Sequence, residues 1–220
     1  MGVTADTSGA HIRPENRIVS ALWIGELSPL ERLCMSSFVQ AGHEYHLYTY
    51  EAMAGLPAGV KLCDAGEILP HETVFRNQRG KGKGSFACFS DLFRYKLLWE
   101  RGGWWVDTDV FCLRAFDFAA PYVFGAEDKP VASGVIKMPP KSELARRCYD
   151  DARGVDHAQV VWNELSDIFA SAVAELDLLG YVLEPEVFSP IAWFEVPDYV
   201  QGRRDSATWQ SVAQRLPRDH

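Results

Sequence analysis

The chain has 220 residues, a length typical of one domain, and its 47% hydrophobic and 24% charged residues are ordinary for a globular protein. The net charge of −8 argues against nucleic acid or an anionic membrane as the main partner. The sequence shows neither a run of about 18 apolar residues nor a signal-peptide pattern. We therefore expect no transmembrane segment, while peripheral membrane contact stays open.

The five cysteines are scattered along the chain, and no CxxC pair occurs. An odd number of cysteines without paired spacing indicates neither a zinc site nor a disulfide framework. Thiols without disulfide partners are typical of a reducing compartment, so the sequence favours a cytoplasmic location.

The N-terminal part of the sequence predicts a strand, a helix and a second strand. Residues 1–16 are polar and are predicted to be flexible, and the folded domain is predicted to span residues 17–220. An apolar run from Arg17 to Gly25 is typical of a buried strand, and Ser28-Pro29-Leu30-Glu31 has the residues of a capped helix start. Alternation from His43 to Tyr50 predicts the next strand. This order indicates a mostly parallel α/β sheet.

A basic, glycine-rich stretch follows, from Arg76 to Ser85. It lacks the residue order of a P-loop, and no clear strand leads into it. A mobile, solvated loop is the favoured interpretation. The alternative is a lid that closes over a diphosphate or meets an anionic acceptor.

The most informative stretch runs from Phe86 to Asp117. Up to Trp99, apolar residues recur at three- and four-residue spacing, which predicts a helix with one buried face. Gly102-Gly103 is expected to end that helix, and Trp104-Trp105-Val106 to begin a strand that leads into Asp107-Thr108-Asp109.

Asp107 and Asp109 are expected to share one face of this strand, because alternate side chains point the same way. Two such charges about 5 Å apart repel by roughly 3 kcal/mol at an effective dielectric constant near 20. A divalent cation relieves this repulsion, and Mg²⁺ and Mn²⁺ bind through carboxylates together with phosphate oxygens. The pair therefore suggests a metal–diphosphate site. On this short motif alone, a solvated turn after the strand is favoured.

Three features in fixed order make the signal more specific: Ser90-Asp91-x-x-Arg94, then Gly102-Gly103, then Asp107-Thr108-Asp109. Together they resemble the sugar-nucleotide signature of the DXD glycosyltransferases. The likeness is greatest to the Och1-like group, glycosyltransferase family 32, and to capsular-polysaccharide transferases, and more distant to the clostridial toxin glucosyltransferases. The resemblance implies a single α/β domain of the GT-A type, with a Rossmann-like, mostly parallel central sheet flanked by helices.

The resemblance also implies an activity: metal-dependent transfer of a hexosyl group from a nucleoside-diphosphate sugar to a saccharide or other acceptor, with retention of configuration. UDP is the first expectation for the nucleotide and GDP the next. Asp91 would hold sugar hydroxyls, Arg94 would contact the sugar and a phosphate oxygen, and Ser90 would orient the nucleotide. Asp109 would contact Mn²⁺ or Mg²⁺ directly. Asp107 would bind ribose or sugar hydroxyls, and the metal through water.

Further positions follow from the same resemblance. Trp23, at the end of the first predicted strand, would stack on the nucleotide base, although a plain core tryptophan is an equal alternative. Glu127 and Asp128 are candidate acceptor contacts. They lie between two further predicted strands, Tyr122–Gly125 and Val135–Met138.

The C-terminal part predicts helices beginning at Ser142 and spanning Asn163 to Leu179, the second ended by Gly180. The sequence then departs from the family, because no His-x-Trp-like element is present near its end, and Trp209 and His220 are poor substitutes. Either the protein lacks this element or the chain is a truncated product.

Two other functions stay open. An apolar strand followed by Asp107-x-Asp109 also fits the haloacid-dehalogenase phosphohydrolases, with Asp107 as nucleophile, Asp109 as acid/base and Asp150-Asp151 as the later acidic pair. That interpretation leaves Asp91, Arg94 and Trp23 unexplained. The last alternative is a degenerate, non-catalytic domain that binds nucleotide-sugar or a partner.

Overall fold

The structure, a computed structural model, describes residues 12–192 and 194–201, and for Tyr199 and Val200 only the backbone. Its centre is a seven-stranded sheet with the order β3-β2-β1-β4-β6-β5-β7. The strands are β1 (Ile18–Leu22), β2 (Glu44–Thr49), β3 (Val60–Asp64), β4 (Gly103–Val106), β5 (Val123–Gly125), β6 (Ala132–Met138) and β7 (Val182–Leu183). The helices are α1 (Pro29–Gln40), α2 (Ala87–Arg101), α3 (Glu143–Gly154), α4 (Glu164–Glu175), α5 (Pro185–Phe188) and α6 (Val196–Val200).

The sheet is mostly parallel. The pairs β1–β2, β1–β4, β2–β3 and β5–β7 are parallel, and β6 is antiparallel to both of its neighbours, β4 and β5. Helices pack on both faces, because α2, α3 and α4 contribute to one hydrophobic cluster and α1 to the other. The predicted fold class, an α/β domain with a mostly parallel sheet flanked by helices, is confirmed.

Strand β4 shows how the sequence distributes its side chains between these two layers. Trp104 and Val106 are buried in the cluster that contains α1, and Trp105 is buried in the cluster that contains α2. Because side chains alternate along a strand, the next residue, Asp107, is directed toward the α2 layer. The alternation of side chains along the strand therefore directs Asp107 toward helix α2.

The turn from α2 into β4 depends on Gly102. Its φ angle of 65° lies in the left-handed region, and a Cβ at this position would overlap the backbone nitrogen of Pro140. Glycine is therefore required here both for conformation and for space. The predicted helix stop is confirmed.

Helix α4 ends earlier than expected. Its last residue is Glu175, and Asp177 adopts a left-handed conformation with φ of 57°. Aspartate tolerates this conformation better than most residues, so the helix ends without the glycine. The prediction that Gly180 ends this helix is wrong.

The folded part of the chain includes residues before Arg17. Asn16 is fully buried, its Nδ2 donates to Asp117 Oδ1 at 3.0 Å, and its Oδ1 accepts from Trp104 Nε1 at 3.1 Å. Arg13 pairs with Asp117 at 2.8 Å. Of the segment predicted to be flexible, residues 1–11 lie outside the described residues. Trp209 and His220 also lie outside them. Among the described helices, none has the length and apolarity needed to cross a membrane.

Candidate functional site

The signature residues meet at one edge of the sheet. Strands β1 and β4 are parallel neighbours, so Trp23, just after β1, and Asp107, just after β4, emerge at the same carboxyl edge. Helix α2 leads into the start of β4 from its own C-terminus, so its N-terminal turns lie back at that edge. These turns carry Ser90, Asp91 and Arg94. The fold thus gathers residues that are far apart in sequence.

The two aspartates do not share a strand face as expected. Strand β4 ends at Val106, and residues 107–110 form a turn in which Val110 N donates to Asp107 O at 3.1 Å. The last backbone bond between β4 and its antiparallel neighbour runs from Asp107 N to Gly134 O, at 2.8 Å. The prediction that Asp109 continues the strand is wrong. Asp107 keeps the strand direction, and Asp109 is exposed on the turn.

Arg94 is the link between the helix and the aspartate turn. Its Nη2 lies 3.1 Å from Asp107 Oδ1 and 3.4 Å from Asp91 Oδ1, and its side chain is only 5% exposed. The guanidinium also donates to Ser133 O through Nη1 and to Ser90 Oγ through Nη2, the latter at 3.3 Å. These contacts hold Arg94 in one position between two carboxylates.

The two oxygens of Asp107 have different surroundings. Oδ1 accepts from Trp105 Nε1 at 2.9 Å in addition to Arg94. Oδ2 lies on the side of Gly134, where a Cβ would stand 3.4 Å from it and 3.9 Å from Glu127 Oε1. The missing side chain of Gly134 therefore leaves space between two carboxylates. Asp107 Oδ1 is held by the protein, while Oδ2 faces this space.

Burial shapes the charge of Asp91 and Arg94. Burial raises the pKa of Asp91 to about 6, although the Arg94 guanidinium opposes the shift. Burial by itself would lower the pKa of Arg94, but the carboxylates of Asp107 and Asp91 outweigh it and raise that pKa. Arg94 therefore stays charged, and Asp91 changes its charge in a mildly acidic range.

Asp109 and Glu127 lie at the surface, and both carboxylates are destabilised in their charged form. Partial burial raises the pKa of each, and Asp107 raises both further. Ser189 Oγ donates to Glu127 Oε1 at 3.3 Å and partly offsets the effect on Glu127. A cavity of about 30 Å³, large enough for one water, lies beside Glu127, Gly134 and Ser189. Negative charge thus accumulates at this point of the edge.

The carboxylates of Asp107 and Asp109 would suit an Mg²⁺ or Mn²⁺ ion that is bound together with a diphosphate. Hard oxygen donors suit such ions, and one or two carboxylates are the usual protein contribution when phosphates supply other ligands. Among residues 12–192 and 194–201, no three His, Cys, Asp or Glu side chains form a ready-made metal site. An ion held by Asp107 Oδ2 and Asp109 would therefore need further oxygens, which a diphosphate would offer.

Three contributors to the site were missed at the sequence level: Trp105, Ser133 and Gly134. The indole of Trp105 could have been found, because residues two apart on a strand share a face. Gly134 gave a weaker signal: a glycine next to an apolar run can mark a place where a ligand or another backbone segment approaches the strand closely. The carbonyl of Ser133 carried no signal, since every residue has one.

The remaining candidates lie as follows. Trp23 is half-buried, and its Nε1 donates to Glu26 O at 3.1 Å, so the ring stands at the edge with its nitrogen already bonded. Glu127 lies beside Gly134 as described, and Asp128 follows it on the exposed loop after β5.

The fold is shared with a glycosyltransferase structure, and part of the chain is similar to a sugar-binding region of the DXD type. Residues 34–126 match a family model described as "Glycosyltransferase sugar-binding region containing DXD motif". This range contains the whole signature from Ser90 to Asp109, so the predicted resemblance to the DXD glycosyltransferases is confirmed.

Among solved structures, the chain is similar in fold to PaToxG glycosyltransferase, with a TM-score of 0.58 and 12% sequence identity over 93% of this chain and 80% of that chain. A structure titled as a transferase mutant aligns with a TM-score of 0.47 and 9% identity over 74% of this chain and 86% of that chain. No curated protein matches the sequence.

Proposed function

We propose that this protein is a metal-dependent glycosyltransferase that moves a sugar from a nucleoside-diphosphate sugar to a saccharide or other acceptor. The observation that carries the proposal is the position of Arg94, which bridges Asp91 on the helix and Asp107 after β4 at the edge where Trp23 also emerges. Mn²⁺ or Mg²⁺ is the proposed metal. UDP is the first candidate for the nucleotide, GDP the second, and the cytoplasm the proposed location.

The bound cation would supply electrostatic stabilisation of the departing nucleoside diphosphate. Asp109 and Asp107 Oδ2 would hold it. Asp91 would accept hydrogen bonds from sugar hydroxyls, and Arg94, held by its carboxylate partners, would keep Asp91 in place and face the sugar and a phosphate oxygen. Trp23 would stack on the base, which contributes about 1–3 kcal/mol. Ser90 would act through Arg94, since its hydroxyl accepts from that guanidinium.

Retention of configuration remains part of the proposal. It assigns no covalent nucleophile, because Asp107 and Asp109 are proposed to hold the cation and Asp91 is paired with Arg94. Glu127 is proposed to orient the acceptor, since it faces the same space as Asp107 Oδ2.

The phosphohydrolase alternative gains no support from its second acidic pair. Asp150 pairs with Arg146 at 2.8 Å and with Arg153 at 3.1 Å on helix α3, and Asp151 lies 3.6 Å from Arg147. These carboxylates take part in surface ion pairs along one helix.

Calorimetric titration with UDP, GDP and other nucleoside diphosphates, with and without Mn²⁺, tests the proposal. We expect at least one nucleotide to bind roughly tenfold more tightly when the metal is present, because the cation neutralises facing negative charges. Asp109→Asn should remove this enhancement. Asp151→Asn, which removes the same charge from α3, should leave it unchanged.

Gly134→Ala is the second variant in this test. The added Cβ would lie 3.4 Å from Asp107 Oδ2, which narrows the space proposed for the cation. We expect metal-enhanced binding to weaken by roughly tenfold while the metal-free titration changes little. If no nucleoside diphosphate binds the unmodified protein more tightly with metal, the proposed function is wrong.

A further inference from the structure

A second group of charges lies at the same edge of the sheet, in residues 76–85, here called the cationic loop. It carries four basic residues, Arg76, Arg79, Lys81 and Lys83, in a chain whose net charge is −8. All four are exposed. A large anion approaching this acidic protein is repelled overall, so a local basic segment changes where it can bind.

The cationic loop has a defined conformation. Asn77 N donates to Ser85 O at 2.9 Å and Gly84 N donates to Asn77 O at 2.7 Å, which closes the loop at its base. Arg76 serves this conformation, because its Nη1 donates to Gly84 O at 2.6 Å and its guanidinium lies 4.0 Å from the Phe86 ring centroid. The loop thus presents its other cations from a closed base.

The loop is attached to the helix that carries the signature. Asn77 is buried, and its Oδ1 accepts from Cys88 N in the first turn of α2 at 3.3 Å. This turn has no acidic residue and no side-chain cap at Phe86, so the positive end of the helix dipole adds to the charge of the loop. Ser90 and Asp91 follow within one turn.

A wide cleft adjoins the cationic loop. Its volume is about 570 Å³, which is within the range of ligand sites. None of its lining residues is among those proposed to hold the donor. The lining residues are His71, Glu72, Val74, Phe75, Arg76, Gln78 and Phe86.

We infer that the cleft and the cationic loop bind the acceptor, and that this acceptor is an acidic saccharide whose carboxylates or phosphates contact Arg79, Lys81 and Lys83. The inference rests on the proposed function, which places the donor at the edge that carries Asp107 and Asp109. The acceptor is then assigned to the cleft beside the cationic loop. In the proposed function, a cation held by Asp107 and Asp109 would supply the counter-charge for the donor diphosphate. The cationic loop therefore serves a second anion.

The test compares a triple variant, R79Q/K81Q/K83Q, with a control, R17Q/K61Q/R146Q. The control removes the same charge from exposed cations on β1's N-terminal side, β3 and α3. Arg76 is kept, since it maintains the loop conformation. The probes are an oligogalacturonate, a phosphate-bearing oligosaccharide, a neutral maltooligosaccharide, phosphatidylglycerol vesicles and UDP with Mn²⁺.

We expect the unmodified protein and the control to bind at least one acidic oligosaccharide and to bind the neutral one more weakly. The triple variant should bind the acidic oligosaccharide roughly tenfold more weakly, because each exposed ion pair contributes little and three are removed. Its affinity should also depend less on salt concentration, because salt screens the ion pairs that the variant lacks. Its affinity for UDP with Mn²⁺ should equal that of the control.

Three results would overturn the inference. The first is failure of the unmodified protein to bind either acidic oligosaccharide. The second is an equal loss of UDP affinity in the triple variant, which would assign the loop to the donor. The third is binding of phosphatidylglycerol vesicles, but not of acidic oligosaccharides, through these residues. Failure of the proposed function appears separately, as absence of metal-enhanced nucleotide binding in the unmodified protein, and would remove the acceptor assignment as well.

Discussion

At the scale of single residues, the candidate site contains a buried ion pair with an unequal charge balance. Arg94 is shared by Asp91 and Asp107, so one guanidinium faces two carboxylates. Breaking such a pair from one side costs about 3–5 kcal/mol, because an uncompensated charge stays buried. One guanidinium does not balance the charge of two carboxylates, and we propose that the arrangement holds Asp91 and Asp107 in position for a ligand.

The raised pKa of Asp91 predicts a pH dependence of stability. Its value in the folded protein is about 6 against an ordinary value of 3.8, so the folded state binds the proton more tightly than the unfolded state. The resulting stabilisation is complete below about pH 4 and is lost as the pH rises through about 6. Asp91→Asn lacks this titration.

We therefore expect the protein to lose roughly 2–3 kcal/mol of stability relative to Asp91→Asn between about pH 4 and pH 7. Urea unfolding of both proteins in a metal-free buffer measures this difference. Asp151→Asn, at an exposed position on α3, is the control and should follow the unmodified protein. A constant difference between the protein and Asp91→Asn over this range would contradict the prediction.

At the scale of secondary-structure elements, the site depends on two junctions. One is the turn from α2 into β4 at Gly102, which sets the helix so that its first turns return to the carboxyl edge. The other is the end of β4, where the bond from Asp107 N to Gly134 O is the last before the aspartate turn. The first junction has a clear sequence signal, and the second does not.

Gly102→Ala tests the first junction. The substitution places a Cβ in a left-handed conformation and against the Pro140 backbone, so we expect a loss of roughly 2 kcal/mol or more in the free energy of unfolding. Gly154→Ala is the matched control, because a Cβ there has no neighbour within 4 Å and φ is not positive. Its effect should stay within about 0.5 kcal/mol. Equal effects in the two variants would show that the junction tolerates a side chain.

At the scale of the whole molecule, two hydrophobic layers share one sheet. Strand β4 contributes Trp105 to the α2 layer and Trp104 to the α1 layer, and β1 likewise contributes Leu22 to one and Val19 to the other. Because the same central strands bury side chains in both layers, disrupting these strands would disturb the packing of both layers. The core therefore couples the two faces.

This coupling predicts that the chain unfolds as one cooperative unit, as expected for a single domain. Urea transitions followed by tryptophan fluorescence and by far-ultraviolet circular dichroism should coincide. The cysteines give no cross-link between parts, since all five are free thiols. Two separated transitions would contradict both the single-domain prediction and the coupling of the layers.

Local patterns were sufficient to predict helix α2, its glycine stop, strand β4 and the α/β class, because periodicity and turn chemistry are properties of neighbouring residues. The family signature also identified Ser90, Asp91, Arg94, Asp107 and Asp109 as candidates. Packing between distant segments decided the rest. The partner of Arg94 at Ser133 lies 39 residues away, and the space at Asp107 Oδ2 exists because Gly134 of the antiparallel strand β6 has no side chain. Such contacts depend on strand order and register, which no short stretch of sequence contains.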